Sequence, residues 1–326
     1  DVLGPDGAAL VSMSYTQGGR IQAAQGAEFS VAYDYHPETN MWSGVSRAGA
    51  DASEDVGVSL QWQGDLISSM GWSGAVSADV SYSYNDFFHR TSQTISVDAD
   101  SLTIPNLYDF DGLLVSRGEY SVERDADSGL RTQASVGSIV RTTEYNGFGE
   151  VVGNQYASSV DGAVLFSETL TRTALGFVGQ REETLGDESD FITYAYDGRR
   201  RLTGASGSMS YGYDYDVNDN IVGRSVDGSV ATWSVNSLDQ MTEANGWSYT
   251  YDSLGRMVAR THLESGDEET YTYDADDQMI GARLRDGRVV RYVLDGFGNP
   301  MARFVDDVAT HRWAYDLNRR PVIERD

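Results

Sequence analysis

The 326-residue sequence contains no cysteine, and its 24 basic residues are all arginines, with no lysine anywhere. Without cysteine, no disulfide framework and no thiolate metal site can form. Without lysine, no Walker-type phosphate loop is possible. Codon bias in an acidic, salt-adapted proteome is the bland explanation for the missing lysine; evasion of lysine modification is the sharper one. No run of 18 apolar residues exists, so no helix spans a membrane. The opening Asp-Val-Leu-Gly-Pro-Asp-Gly lacks the basic and apolar regions of a signal peptide.

Catalytic signatures are missing as well. The four histidines, His36, His89, His262 and His311, are scattered and none stands in a His-Glu-x-x-His spacing. Gly71-Trp72-Ser73-Gly74 and Gly204-Ala205-Ser206-Gly207 miss the spacing of a nucleophile elbow. Asp214-Tyr215-Asp216-Val217-Asn218 opens like a calcium loop, but Asp219 stands where glycine is needed and Ser225 where the bidentate glutamate belongs. With 50 acidic residues, a chance pair of carboxylates carries little information. The expectation is a non-enzyme, with no catalytic residue, no metal and no cofactor.

What the chain has in excess is negative charge: a formal −26 and a pI near 4.3. Such a surface repels nucleic acid, whose phosphates need clustered cations, and anionic membrane surfaces. With 35 glycines, 20 tyrosines and many Thr, Ser and Val, the composition favours turns and strands.

The dominant feature is a repeat. Tyr251-Asp-Ser-Leu-Gly-Arg-Met returns at Tyr273, Leu294 and Tyr315, with starts 22, 21 and 21 residues apart. Earlier copies begin at Tyr145, Arg172, Tyr196, Tyr215 and Val235, and imperfect ones at Tyr84, Tyr108 and around Asp125 to Leu130. Position five is usually Gly or Asp (Gly149, Gly176, Asp219, Asp239, Gly255, Asp277, Gly298), and position seven is usually apolar (Val151, Val178, Leu202, Met241, Met257).

A hairpin explains the pattern. Alternating aromatics such as Tyr249 and Tyr251, or Tyr271 and Tyr273, place a tyrosine ladder on one face of a strand. The Asp after each Tyr can accept a hydrogen bond from an amide two residues on, and position five tolerates the left-handed geometry of a reversal. Structural anchors are therefore Tyr145, Tyr196, Tyr215, Tyr251, Tyr273 and Tyr315, with Gly149, Gly255 and Gly298. Cross-strand packing accounts for the tyrosines better than a sugar platform does; the irregular Trp42, Trp62 and Trp72 are the better candidates for recognition, with a core role the plainer reading.

One hairpin of about 20 residues is marginal alone, so copies must stack. The expected fold is all-β, with antiparallel β-hairpin repeats forming one continuous sheet that twist curls into a spiral. Residues 1–141 read as degenerate repeats and 142–326 as regular ones within the same architecture. In the first part, strands are expected at Val11–Tyr15, Glu28–Tyr35, Val56–Trp62, Val76–Tyr84 and Thr91–Val97, with turns at Pro5–Gly7, Gln63–Asp65 and Ser73–Gly74. Asp1 is not a natural start and Asp326 follows an unfinished repeat, so a segment of a longer protein is expected.

These residues resemble the Rhs/YD-repeat family, strongly from residue 145 onward, through the whole unit Tyr-Asp-x-x-Gly-Arg followed by an apolar residue. Tyr251 to Met257 fits it fully. The resemblance implies a hollow β-shell of the kind found in Rhs toxins, toxin-complex C-type components and teneurin-like proteins. It implies partners too: an enclosed polypeptide cargo such as a C-terminal toxin, or the remaining shell segments of the same protein. It further implies secretion or a cell-surface location through a larger parent, and it leaves open an alternative role as a teneurin-like adhesion or glycan-recognition module. A negatively charged lumen would suit a basic cargo. The family's self-cleavage motif has no matching residues here, so neither cleavage chemistry nor toxin activity is carried over.

Overall fold

The computed structural model describes residues 2–3, 9–26, 29–49, 54–274 and 276–325. Among them there is no α-helix; the strands form antiparallel meanders of 22 and ten strands. Within each sheet, strands pair with their neighbours in sequence, as Trp247–Tyr251 does with Met257–His262, and that strand with Glu268–Tyr273. The all-β hairpin architecture is thus as the repeat requires. Observed strands Ala9–Tyr15, Ser30–Tyr35, Val56–Gln63, Ala78–Tyr84 and Arg90–Val97 coincide with those expected, and Gly64–Asp65 turns as expected. Ser73–Gly74 does not turn: it ends the strand Leu66–Gly74, with Gly74 at φ 98°, and the reversal falls just after it. The Pro5–Gly7 turn and Glu28 lie outside the described residues.

The chain divides into two compact units. The first joins Asp1–Ile104 to Gly246–Asp326, and the second is Pro105–Asn245.

Within the first unit two hairpin layers share a core. Across the strands of the earlier layer, Tyr33 stands opposite Val45, Val45 opposite Val58, Val58 opposite Trp72, Trp72 opposite Ala78 and Ala78 opposite Val97. Direct opposition puts all six on one face, the tyrosine-bearing one. The reverse face is small and polar, with Gly44, Ser59, Gly71 and Asp79 in line. The later layer meets this core with Val293, Ala302, Ala314 and Ile323; Tyr292 alternates with Val293 to the other side of its strand, while Tyr315, beside a bulge, packs against the core as well. Ala302 and Ala314 are fully buried, and small side chains there let two sheets approach at the roughly 10 Å of stacked layers. Trp72 is core; Trp62 packs beside it, and Trp42 is partly exposed between the rings of Tyr33 and Phe297, each 6.0 Å away.

Charged links join these layers too. Arg47 Nη2 lies 2.7 Å from Asp274 Oδ2, both side chains buried, with the guanidinium 4.4 Å above the Phe29 ring. Arg291 pairs with Glu54, and Arg325 with Asp98.

The second unit is built differently. Between Pro105 and Asn245 the buried apolar side chains are Val122 and Ala244, so hairpin ladders rather than a second layer carry this stretch. Its tyrosine face is half-buried by its own neighbours. Arg141 donates to Asn154 Oδ1 (3.0 and 2.7 Å), Asn154 donates to Glu168 (2.7 Å), and Arg181 reaches Glu168 (3.0 Å) and Glu183 (2.5 Å). Glu168 and Glu183 face each other directly, a destabilising like-charge pair that Arg181 relieves from between them. Asp190, opposite Glu183 on the other side, is held by the Ser208 amide and hydroxyl.

Candidate functional site

The repeated turn is the most ordered chemical arrangement in the chain. In Asp252–Arg256, the Asp252 carboxylate Oδ1 accepts the amides of Leu254 and Arg256, each at 2.9 Å. Asp109, Asn146, Asp197, Asp216, Asn236, Asp274, Asp295 and Asp316 each accept the amides two and four residues on in the same way. The side chain thereby satisfies donors that a reversal leaves unpaired. The bond two residues on is expected from sequence; the second, four on, is not.

Position five adopts the left-handed conformation: Gly149, Gly255 and Gly298 have φ of 77°, 86° and 81°, and their amides donate to the carbonyls of Asn146, Asp252 and Asp295 at 3.0, 3.1 and 3.0 Å. Asp219 (72°), Asp239 (59°) and Asp277 (62°) follow them, and so do Arg200 (70°) and Arg319 (57°), where the surrounding hairpin outweighs intrinsic preference.

Position one links copies to each other. The hydroxyl of Tyr196 donates to the carbonyl of Val178 (2.9 Å), Tyr215 to Leu202 (2.7 Å), Tyr273 to Met257 (2.9 Å) and Tyr315 to Pro300 (2.7 Å). Each acceptor is position seven of the preceding copy. Tyr145 donates to Arg131 in the same manner at 2.8 Å. Arg172, which replaces the tyrosine, reaches position seven of its preceding copy, the Val151 carbonyl, through Nε at 3.2 Å and Nη2 at 3.0 Å. Tyr251 is half-buried opposite Met257 and also engaged.

Position six points the other way. Arg256 binds its own Asp252 Oδ2 (2.7 Å), then the Asp274 carbonyl (3.1 Å) and the Asp277 carboxylate (2.9 Å) of the following copy. Arg201 repeats this with Asp197, the Asp216 carbonyl and Asp219, at 2.7, 3.1 and 2.6 Å. The guanidinium carbons lie 5.2 Å from the Tyr273 ring and 4.5 Å from the Tyr215 ring. Asn220 substitutes with bonds to Asp216 and Asp239. The electrostatics follow. The Arg201 amide, ahead of its guanidinium, holds the Asp197 carboxyl below the usual range, and the Asn220 side chain does the same for Asp216. Partial burial pushes Asp252 up, but bonds from Arg256 outweigh it and the carboxyl ends below its ordinary value.

Other candidate chemistry does not converge. His36 accepts turn amides, His262 meets Ser265, and His311 meets Arg303 and stacks on Trp313. Among the described residues no group of three or more His, Asp or Glu is placed to hold a metal ion. Asp214 lies in a strand and Asp216 in the following turn, where its carboxylate is committed to Asn218 and Asn220. A cavity of about 520 Å³ in the first unit is lined by Phe29, Arg47, Glu54, Thr272, Arg283 and Arg291, and in it Arg47 is paired with Asp274 and Arg291 with Glu54. Among the described residues no helix is long and apolar enough to cross a membrane.

Sequence reasoning missed the copy that starts at Tyr15. Tyr15-Thr-Gln-Gly-Gly-Arg-Ile has Gly19 at φ 77° in position five, and its position seven, Ile21, accepts the Tyr35 hydroxyl at 2.8 Å. Thr16 stands where aspartate would, its hydroxyl accepting the Arg20 amide at 3.2 Å; allowing threonine at position two would have found it.

A turn that binds its own strand, the copy before and the copy after defines a self-propagating β-hairpin wall of the shell type. The Teneurin YD-shell family model matches residues 2–323, and the chain belongs to that family. Among solved structures, it is similar to the Photorhabdus luminescens Tc holotoxin pore, with 10% identity and a TM-score of 0.59 over 93% of this chain and 18% of that one. A second, TcdB2–TccC3 without its hypervariable C-terminal region, aligns with 96% of this chain and 24% of its own at 9% identity and a TM-score of 0.43. Among curated proteins, the tRNA3(Ser)-specific nuclease WapA of Bacillus spizizenii is 24% identical over 197 residues, 55% of this chain and 8% of that protein. The chain therefore spans a small part of the length of each of these relatives.

Proposed function

We propose that this chain is a non-enzymatic wall segment that helps to enclose a polypeptide cargo, such as a C-terminal toxin, for delivery. The observation that carries this reading is the two-way latch: Tyr273 binds the copy before and Arg256 the copy after, so a hairpin wall extends without a new core at each step. Likeness to the Tc holotoxin pore supports it, as does the Pro105–Asn245 unit, a ladder with few buried apolar side chains of its own. In this reading the other partners are further shell segments of the same protein, and the location is outside the cell or on its surface. Likeness to the WapA nuclease falls on 8% of that protein and brings no catalytic residue to this chain.

Limited proteolysis of the complete gene product tests the proposal. A polypeptide segment should resist protease in the wild type and become cleavable when Tyr215, Arg256 and Tyr273 are replaced together. Equal cleavage in both would sink it. The family match also favours a second reading, adhesion or glycan recognition of the teneurin-like type. Saturable binding on a glycan array, with no protected segment, would select that reading instead.

A further inference from the structure

Two Asn-Gly dipeptides lie in reversals of the chain, and their surroundings differ. Asn146–Gly147 belongs to a repeat turn. There Asn146 Oδ1 accepts the amides of Phe148 (2.9 Å) and Glu150 (3.1 Å) while Nδ2 donates to Glu150 Oε2 (2.8 Å), so both ends of the side-chain amide are committed. Asn245–Gly246 is the two-residue turn between the strands Met241–Ala244 and Trp247–Tyr251, and both residues are exposed. Among the described residues nothing hydrogen-bonds the Asn245 side chain, and nothing bonds the peptide group that joins it to Gly246, neither the Asn245 carbonyl nor the Gly246 amide. The next peptide is anchored, since the Gly246 carbonyl accepts the Leu263 amide at 2.8 Å. Asp227–Gly228 turns with similar φ values, 46° and 84°, but its Oδ1 accepts the Ser210 amide at 2.7 Å.

We propose that Asn245 is a site of self-modification, at which the chain converts its own asparagine to aspartyl and isoaspartyl forms. The Gly246 nitrogen loses its proton and bonds to Asn245 Cγ; the Cγ–Nδ2 bond breaks, and the side-chain amide leaves with that proton as ammonia. The product is a five-membered succinimide. Water, the one co-reactant, then opens the ring at Cγ to give aspartate or at the backbone carbonyl to give isoaspartate. The turn lies one rotation away from ring closure. With φ of 50° at Asn245 and 80° at Gly246 it is of type I′. The ring holds the Gly246 nitrogen in plane with Cβ of residue 245, which sets ψ there near about −120° and leaves φ positive, the conformation at the first central residue of a type II′ turn. Types I′ and II′ are the two favoured turns of a two-residue hairpin, and a flip of the central peptide interconverts them. That peptide is the unbonded one, so the flip breaks no hydrogen bond, and Gly246 has no side chain to obstruct it. Ring opening to isoaspartate routes the backbone through an extra carbon and adds a carboxylate to a chain already at −26, at a turn with no residue to spare.

The test holds the whole chain in mild alkali, folded in one arm and unfolded by urea in the other, and follows its tryptic peptides by mass spectrometry over time. In the folded arm, loss of ammonia with isoaspartate formation at Asn245 should run at least tenfold faster than at Asn146. In urea the two rates should converge, because only the shared Asn-Gly sequence then counts. Asn245→Gln, whose ring would need a sixth member, should abolish the change at that position and leave Asn146 as it was. Equal rates in the folded arm, a faster reaction at Asn146, or no reaction at either site until urea is added would each overturn the proposal.

Discussion

The hydroxyl of Tyr273 donates to the Met257 carbonyl at 2.9 Å, one hairpin back along the chain. The Tyr-Asp dipeptide thus divides its labour: the aspartate closes its own turn, and the tyrosine binds the preceding copy. Removing only the hydroxyl, in Tyr273→Phe, should cost about 1 kcal/mol, the usual net worth of such a bond. The change should appear as a lower urea midpoint at unchanged slope. An unaltered midpoint would show that the ring, not the hydroxyl, does the holding.

Arg172 offers the complementary test, since its guanidinium takes the place of the phenol on the Val151 carbonyl. Arg172→Tyr should leave stability within about 0.5 kcal/mol, while Arg172→Leu, which keeps bulk but no donor, should lose about 1 kcal/mol. If the leucine variant matches the wild type, the interpretation of this bond as a latch fails.

The buried ion pair tests the other kind of link. Arg47 and Asp274 join the two layers of the first unit, and Arg47→Met would strand a buried carboxylate whose other bonds, to the Asp276 and Gln278 amides, remain. Loss of one partner of such a pair typically costs about 3 to 5 kcal/mol. Tryptophan fluorescence should report it, because Trp42 and Trp72 belong to that unit. A cost below about 1 kcal/mol would mean that water or a rearranged side chain already serves Asp274.

Much of this was legible in the sequence because the repeat unit carries local information. Aspartate at position two and glycine or aspartate at position five specify a reversal whatever surrounds it, and Gly255 and Asp277 both turn left-handed as their types allow. The latches were not legible in the same way. That Tyr273 finds Met257, or Arg256 finds Asp277, depends on the register between copies, which the motif states only once strands are paired. The core of the first unit was harder still. Val45, Val58 and Trp72 alternate with Gly44, Ser59 and Gly71 like any half-buried strand, and nothing local says that their face is covered by Ala302 and Ala314, more than 200 residues later.

Acid should loosen the turns. The carboxyls of Asp197, Asp216 and Asp252 are held below their ordinary values, chiefly by bonds from the Arg201 amide, the Asn220 side chain and Arg256. An aspartate with a depressed folded-state pKa contributes stability that is present above its unfolded value, near 3.9, and lost as pH falls through the folded one. Urea midpoints should therefore be level at neutral pH and drop below about pH 4. Asp252→Asn, which keeps an acceptor oxygen but cannot titrate, should flatten that drop. An equally steep fall in the variant would place the acid sensitivity elsewhere.

Alkali should act on the first unit from the opposite side. Burial pushes the phenols of Tyr82 and Tyr315 up to about 12, and Tyr82 accepts the Leu317 amide at 3.2 Å, so its ring joins one layer to a turn of the other. Because unfolded tyrosine titrates near 10, the unfolded chain releases these protons first, and stability falls as pH rises from about 10 toward 12. Tyr82→Phe removes one of the two groups and should make the fall shallower, even though the variant begins less stable for want of an acceptor for Leu317. Absorbance at 295 nm followed alongside unfolding separates the effects: if the phenols titrate near 10 while the fold is intact, burial does not protect them and the contact between Tyr82 and Leu317 is not held in solution.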